Sequence, residues 1–261
     1  MPAFVTQEQA LSNKHHYKLP NGTDTWISSC IGINSVERRS TGLPARAPES
    51  FPPPLEPIAF LVEQASHTSI PGHYHQADQF QVFVSGEGNF GVKPITGMTV
   101  HYAMAFTPYA PIHATHTPIE YYTLRNGWDP GARWMPDNKS ELMASKHTYR
   151  HGLGLVPALT GSPDGPQGIA GLLEQNVVSF EADGLGATLY QSGPAVSIHG
   201  PAPESGRGQY WLVLQGDCQI NAHAAGVRSL AFIAPDDLPP SIVAGETGVS
   251  ILMMQFPKRG Q

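Results

Sequence analysis

The chain has 261 residues and a formal net charge of −6; 40% of its residues are hydrophobic and only 14% are charged. This apolar share, over this length, can bury one large core or two small ones. No basic run is longer than Arg38-Arg39, so the clustered positive charge that nucleic-acid binding requires is missing from the sequence. Glycine (27) and proline (25) are abundant without a strict repeat. That composition favours strands and turns over long helices and predicts an all-β protein.

The small number of cysteines and the lack of long apolar segments indicate the cellular compartment. Two cysteines, Cys30 and Cys218, cannot staple a chain of this size, so a reducing environment is expected. The first residues lack the charged and apolar regions of a signal peptide, and no stretch reaches the apolar length of a membrane span. We therefore expect a cytoplasmic protein that interacts with neither membranes nor nucleic acids.

In chain order, residues 1–54 are predicted to form an N-terminal arm, with a short helix, and a proline-rich linker. The linker prolines lie within 42–57 and favour an extended path. Short apolar runs broken by turns then predict a first β domain over 55–127, a connection over 128–170 with one helix near 140–146, and a second β domain over 171–261. The predicted strands lie at 58–62, 80–84, 99–106, 121–124, 176–180, 187–191, 210–214, 230–233 and 249–254.

The two halves resemble each other. Residues 79–86 and 209–216 both read as a glutamine, six residues and a glycine, at an offset of 130. Residues 105–108 resemble 232–235 at an offset of 127. Two features in the same order at nearly the same offset indicate an internal duplication.

Histidines are concentrated in the first half. Six of the twelve lie in one stretch: His67, His73, His75, His101, His113 and His116. His73 and His75 are two residues apart, so on a strand they point to the same face. With Gln79 on the next strand and His113 later, they supply a plausible ligand set for a divalent metal. The alternative is that these histidines only pack or form hydrogen bonds inside the fold.

The first of two motifs resembles that of the cupin superfamily. That motif places His-x-His three or four residues before a glutamate, which six residues separate from a glycine. Here His73 and His75 precede Gln79 by the same spacing, and Gly86 closes the motif. Gln79 stands where most cupins have glutamate.

The second cupin motif, Pro-x-Gly-x-x-His, corresponds to Pro108, Ala110 and His113, with alanine in place of glycine. The resemblance implies two cupin barrels in tandem (double-stranded β-helices, jelly-roll-like), which commonly form homodimers. It implies one divalent metal (Fe²⁺, Mn²⁺, Ni²⁺ or Zn²⁺) bound by His73, His75, Gln79 and His113. In the second half Pro203 and Ser205 stand at the positions of the two histidines, so that half is expected to bind no metal.

We expect a metal-dependent enzyme that acts on a small, largely apolar, oxygenated compound. A quercetinase-like dioxygenase is the first candidate. A lyase or isomerase is the second, because the neutral Gln79 leaves the ion its full charge as a Lewis acid. A non-catalytic small-molecule-binding cupin is the third. Further candidate catalytic residues are His116, Gln81 and Tyr109, each of which could instead be packed or solvated.

Overall fold

The computed structural model of the protein describes residues 3–44, 46, 52–162, 164–166 and 168–259. Pro48 and its neighbours at 45, 47 and 49–51, part of the predicted proline-rich linker, lie outside the described residues. The chain divides into two compact units, one of residues 11–155 and one of residues 1–10 with 156–261. Among the described residues, no helix combines the length and the apolar character needed to cross a membrane.

Short strands make up most of the secondary structure. Up to residue 155 the elements are β1 (Ala3–Val5), α1 (Gln7–Ser12), β2 (Lys14–Lys18), β3 (Asp24–Ile31), α2 (Ser35–Ser40), β4 (Leu55–Gln64), β5 (Ser69–Ile70), β6 (His73–Tyr74), β7 (Gln79–Ser85), β8 (Gly88–Phe90), β9 (Lys93–Ile95), β10 (Thr99–Ala103), β11 (Ile112–Ala114), β12 (Ile119–Gly127), β13 (Arg133–Trp134), α3 (Lys139–Ser145) and β14 (His151–Leu155). The remainder are β15 (Leu172–Val178), β16 (Gly186–Ser192), β17 (Ser197–Ile198), a 3₁₀ turn (Pro203–Ser205), β18 (Gln209–Ile220), β19 (His223–Ala225), β20 (Leu230–Ile233) and β21 (Ile242–Gln255). Since α1, α2 and α3 span only six or seven residues each, the all-β prediction is confirmed.

The unit of residues 11–155 contains two main sheets. A seven-stranded sheet has the order β14-β10-β7-β12-β4-β3-β2, a four-stranded sheet has the order β5-β11-β8-β9, and β6 pairs with β13. Phe60 and Phe83 of the larger sheet belong to the same buried cluster as Ile70 and Ile112 of the smaller one. The core of this unit is therefore shared between the two sheets.

Strand alternation on β7 and β12 positions the polar residues of this unit. Gln79 pairs with Arg125, and Gln81 pairs with Thr123. Because side chains two apart on a strand share a face, these four side chains lie on one face of the sheet, together with Phe83. The opposite face of β7 is also buried, since Phe80 packs against Tyr102 on β10 with ring centroids 5.0 Å apart.

The observed boundaries differ from the predicted ones at both ends of the first domain. Residues 14–18 and 24–31, expected within an arm and linker, form β2 and β3, and β3 pairs with β4. Ile27 of β3 is part of the core, but the serines beside it hide the strand pattern in the sequence. At the other end, β13, α3 and β14 belong to this unit, and β14 pairs with β10. Residues 128–155, expected in a connection over 128–170, thus belong to the first unit, and the units divide after residue 155.

The second unit contains an eight-stranded sheet with the central order β1-β20-β18-β21-β16-β15. The first described residues belong here, because β1 pairs with β20. Within the sheet, Gln209 pairs with Ile233 and with Gln255. In the other unit Gln79 pairs with Ala103 and with Arg125. Both pairings are reproduced at an offset of 130, so the offset of 127 inferred for residues 105–108 was three residues too short.

Gly86, in the turn after β7, lies where a side chain would be crowded by the neighbouring backbone. Gly86 has a φ of +88°, and a Cβ there would collide with the carbonyl oxygen of Pro118. Gly97 is a matched control, since its φ is +84° but no atom lies within 4 Å of a built Cβ. We expect Gly97→Ala to lower the free energy of unfolding by about 1–2 kcal/mol through backbone strain alone. Gly86→Ala should cost about 1–3 kcal/mol more through overpacking.

Urea denaturation of the two variants, followed by tryptophan fluorescence, measures the difference. Equal losses of stability in Gly86→Ala and Gly97→Ala would contradict the crowding.

Candidate functional site

A cavity of about 340 Å³ opens in the unit of residues 11–155. Its walls include the aromatic side chains of Phe60, Tyr121 and Trp134. A polar cluster forms another part of its lining: His73, His75, Gln79, Gln81, Tyr109 and Arg125. A mainly apolar enclosure with a few converging polar groups is the usual form of a small-molecule site.

Each of the two predicted histidines is held by its Nδ1 atom. Nδ1 of His73 lies 2.7 Å from the carbonyl oxygen of Pro71, and Nδ1 of His75 lies 2.8 Å from Oδ2 of Asp129. Since a carbonyl oxygen and a carboxylate accept hydrogen bonds, both Nδ1 atoms carry the proton and both Nε2 atoms carry a lone pair. A histidine whose Nδ1–H is bound to a carbonyl or carboxylate is oriented as metal-ligating histidines are.

Both imidazoles are neutral at ordinary pH. Burial, followed by repulsion from His75, lowers the pKa of His73 to about 3. Burial and the positive charge of Arg125 lower the pKa of His75, against the opposing effect of Asp129. The lone pairs on the two Nε2 atoms are thus available to a ligand without the loss of a proton.

Tyr109 connects His73 to Gln79. Its hydroxyl donates a hydrogen bond to Nε2 of His73 at 2.7 Å and accepts one from Nε2 of Gln79 at 2.8 Å. Oε1 of Gln79 accepts hydrogen bonds from Nε and Nη2 of Arg125 at 3.2 and 3.1 Å. Because arginine can only donate, this contact fixes which end of the amide faces Tyr109. Burial raises the pKa of the Tyr109 phenol well above its usual value.

Arg125 and Asp129 form a buried ion pair beside this cluster. Nη1 of Arg125 lies 3.1 Å from Oδ2 of Asp129, and both side chains are almost fully buried. The carboxylate also accepts hydrogen bonds from the backbone amides of Gln76 and Gly131, each at 2.9 Å. Burial alone raises the pKa of Asp129, but the charge of Arg125 and the contact with His75 outweigh it and hold the pKa well below its usual range.

Arg125 also covers one face of His75. Its Nη2 atom lies 3.1 Å from both Nδ1 and Nε2 of that ring. A point at equal distance from the two ring nitrogens lies over the face of the imidazole and not along the in-plane lone pair of Nε2. The guanidinium therefore stacks on His75 and leaves that lone pair unobstructed.

His113 and His116 do not join the cluster. His113 is exposed on β11, where its neighbours Ile112 and Ala114 are buried, so alternation turns the imidazole away from the core. Residue 109 is the one that pairs with His73 in an antiparallel bridge. The structure thus places Tyr109 where the sequence motif led us to expect His113. His116 is exposed and packs edge-on against His67, with ring centroids 5.4 Å apart.

Gln81, the third candidate catalytic residue, does line the cavity. Its Oε1 lies 3.0 Å from Nδ1 of His101, and Nε2 of His101 lies 3.1 Å from Nδ1 of the exposed His151. Burial, with smaller contributions from His151 and Lys93, lowers the pKa of His101 to about 3. His101 is therefore neutral, and its Nδ1–H donates to Gln81 and fixes the orientation of the amide.

Asp129 and His101 were not among the predicted site residues. For Asp129 a signal existed, because charged residues are scarce and Arg125 and Asp129 interrupt an otherwise uncharged stretch, 121–132. Trp134 reaches the site through the pairing of β13 with β6, opposite His73.

The predicted ligand set is not assembled, because His113 lies apart from His73, His75 and Gln79. Across the described ranges, no three His, Cys, Asp or Glu side chains come together as a metal site. His73 and His75 both carry Nε2 lone pairs, of which that of His73 accepts the hydrogen bond from Tyr109, and the remaining polar atoms next to them belong to Gln79 and Tyr109. Any ion held here would need those residues to complete its coordination.

No family model matches the chain, and no curated protein matches it. Solved structures do. One is a Nostoc punctiforme protein provisionally described as a dioxygenase (11% identity, 100% of this chain and 88% of that chain, TM-score 0.57). Another is the Escherichia coli pirin YhhW in complex with nickel(II) (11% identity, 99% of this chain and 100% of that chain, TM-score 0.56). A third is a variant of Bacillus subtilis oxalate decarboxylase OxdC (10% identity, 96% of this chain and 77% of that chain, TM-score 0.52). These likenesses confirm the predicted fold.

The buried ion pair yields a prediction on stability. Asp129→Asn leaves Arg125 buried without its carboxylate, which should lower the free energy of unfolding by about 3–5 kcal/mol at pH 7. Because the pKa of Asp129 is depressed in the folded state, its contribution is complete above the unfolded pKa of about 3.9 and is lost as the pH falls below it. The difference between parent and variant should therefore narrow below about pH 4.

Urea denaturation of the two proteins between pH 3 and pH 7 measures this. The exposed Asp137→Asn serves as the control and should match the parent. An Asp129→Asn variant as stable as the parent at pH 7 would contradict the role of the pair.

Proposed function

We propose that this chain, a cupin by fold, is a metal-dependent enzyme that oxidises a small, largely apolar organic compound with dioxygen. One observation carries the proposal. Two neutral imidazoles, His73 and His75, are anchored through Nδ1 and offer their Nε2 lone pairs at the wall of a cavity of about 340 Å³. Paired histidines prepared in this way serve metal binding more readily than packing.

His73 and His75 would hold the ion, with oxygen supplied by the adjacent Gln79 and Tyr109. When bound, an ion such as iron would supply the one-electron chemistry that reactions with dioxygen require. Two of the structures that share the fold support this choice by analogy, since one is described provisionally as a dioxygenase and the other contains nickel(II).

The chain's own residues prepare the cavity for its substrate. Phe60, Tyr121 and Trp134 supply an apolar surface that excludes water and holds the body of the compound. Gln81, oriented by His101, offers a polar contact. Because Arg125 is paired with Asp129, a bound divalent ion would supply the charge that favours a negatively charged substrate oxygen, such as a phenolate or enolate.

A lyase or isomerase is the second candidate, and one observation favours it. Gln79 and the two histidines are all neutral, so they leave the charge of a bound ion undiminished. Such an ion is a strong Lewis acid and stabilises an enolate without any change of oxidation state.

The metal site can be tested without a substrate. We expect His73→Ala and His75→Ala to abolish the binding of divalent metal, whereas His113→Ala, exposed on β11, should bind one equivalent as the parent does. Elemental analysis of protein purified without added metal, together with titration of the metal-free protein, measures this. Circular dichroism should show all three variants folded, since the core of this unit is apolar. Loss of metal in His113→Ala alone would overturn the assignment.

The reaction class can be tested with iron-loaded protein and a panel of small phenols, hydroxybenzoates and β-diketones. Oxygen-electrode measurements should show dioxygen uptake that matches substrate loss, and His73→Ala should show none. Turnover of the same compound at an equal rate under nitrogen would contradict the dioxygenase and support the lyase or isomerase. Binding of compounds without any turnover would contradict both and indicate a binding protein.

A further inference from the structure

The hydroxyl of Tyr109 and Nε2 of His73 point at each other across a distance of 2.7 Å, deep within the fold. The imidazole has a lone pair there, since its Nδ1–H donates to Pro71. The phenol therefore donates the single proton that lies between these two atoms. On its other side the phenol oxygen accepts a hydrogen bond from the amide of Gln79. Two potential metal ligands thus converge on one proton.

Other candidates for a third ligand are placed less well. His113 is exposed, on the outward side of β11. Asp129 lies behind His75, bound to its Nδ1 atom and to Arg125. Gln79 directs its carbonyl oxygen towards Arg125 and its amine towards Tyr109. The phenol oxygen is therefore the candidate donor atom that lies next to Nε2 of His73.

The distance suits two ligands of one ion. Donor atoms bound at about 2.0–2.1 Å to the same metal lie about 3 Å apart, close to the separation observed here. The backbone keeps the two residues together, since the amide of each donates to the carbonyl of the other, at 3.0 Å from Tyr109 and 3.3 Å from His73. An ion that takes the place of the shared proton would lie beside the line that joins the two atoms, so the phenol has to turn aside while the backbone pairing of residues 73 and 109 is kept.

We infer that Tyr109 binds the metal as a phenolate, together with His73 and His75, and that Gln79 positions it by donating a hydrogen bond to its oxygen. The inference rests on the proposed metal-binding function. The bond that forms joins the phenolate oxygen to the divalent ion, and the bond that breaks is the phenolic O–H, whose proton passes to solvent. One proton is released for each ion bound.

Iron provides a direct readout, because a ferric ion bound to phenolate absorbs visible light by charge transfer, whereas imidazole and amide ligands do not produce that band. Metal-free protein is loaded with Fe²⁺ under nitrogen and then oxidised in air. The parent should develop the visible band. Tyr109→Phe should lack it and bind Fe²⁺ about 10–100-fold more weakly.

Two controls separate the tyrosine from its surroundings. Tyr121→Phe removes another buried phenol from the same cavity and should keep the band. His113→Ala removes the ligand that the motif suggested and should also keep it. Circular dichroism and urea denaturation establish that Tyr109→Phe is folded.

The outcomes distinguish the inference from the proposal beneath it. If the parent binds iron through His73, as shown by its loss in His73→Ala, but forms no visible band, Tyr109 is not a ligand while the metal site stands. A band that persists in Tyr109→Phe leads to the same conclusion. If the parent binds no divalent metal at all, the proposed function fails and the inference fails with it.

Discussion

The buried ion pair of Arg125 and Asp129 is the constraint on which the rest of the site depends. A guanidinium in an apolar interior must be paired, and the carboxylate that pairs with it must also have its remaining lone pairs satisfied. Asp129 therefore accepts a hydrogen bond from Nδ1–H of His75, which fixes the tautomer and the orientation of that imidazole. Arg125 in turn donates a hydrogen bond to the carbonyl oxygen of Gln79, so the NH2 group of that amide must face Tyr109. The proton of the phenol is then directed to His73. One charge requirement thus orders the polar groups of the cluster in sequence.

The second unit shows what the same fold position becomes without that charge. Gln255 occupies the place of Arg125, paired with Gln209 as Arg125 is with Gln79. Its Oε1 accepts hydrogen bonds from Ser205 and Gln209, and its Nε2 donates to the carbonyl oxygen of Gly184. A neutral amide needs no buried carboxylate. Trp211 fills the neighbouring space. Its ring stacks on Tyr190, and its Nε1–H donates a hydrogen bond to Oε1 of Gln209. Duplication preserved the strand pairing, while a neutral, closed network occupies the corresponding site.

Local spacing explains which parts of the site could be predicted. His73, His75 and Gln79 lie close together because only a few residues separate them: His73 is in β6, His75 follows the end of that strand, and Gln79 begins β7. The partner across from His73 depends instead on a register that crosses the turn after β10, where two prolines interrupt any periodic pattern. A slip of four residues there exchanged Tyr109 for His113. Likewise β3 carries serines on its buried side, so its place in the sheet follows from pairing with β4 and not from its own hydrophobicity.

Charge balance in the completed site bears on the kind of substrate it would accept. Arg125 and Asp129 cancel, and the imidazoles of His73 and His75 are neutral. A divalent ion bound to these histidines and to one phenolate would leave a net charge of about +1 in a buried, mostly apolar cavity, which is unfavourable unless it is paired. An ionised substrate oxygen supplies the missing negative charge, and the aromatic walls receive the uncharged remainder of the molecule. A neutral compound of the same shape would leave the charge unbalanced. A site completed in this way would favour acidic phenols and enols over simple alcohols or hydrocarbons, whichever reaction followed binding.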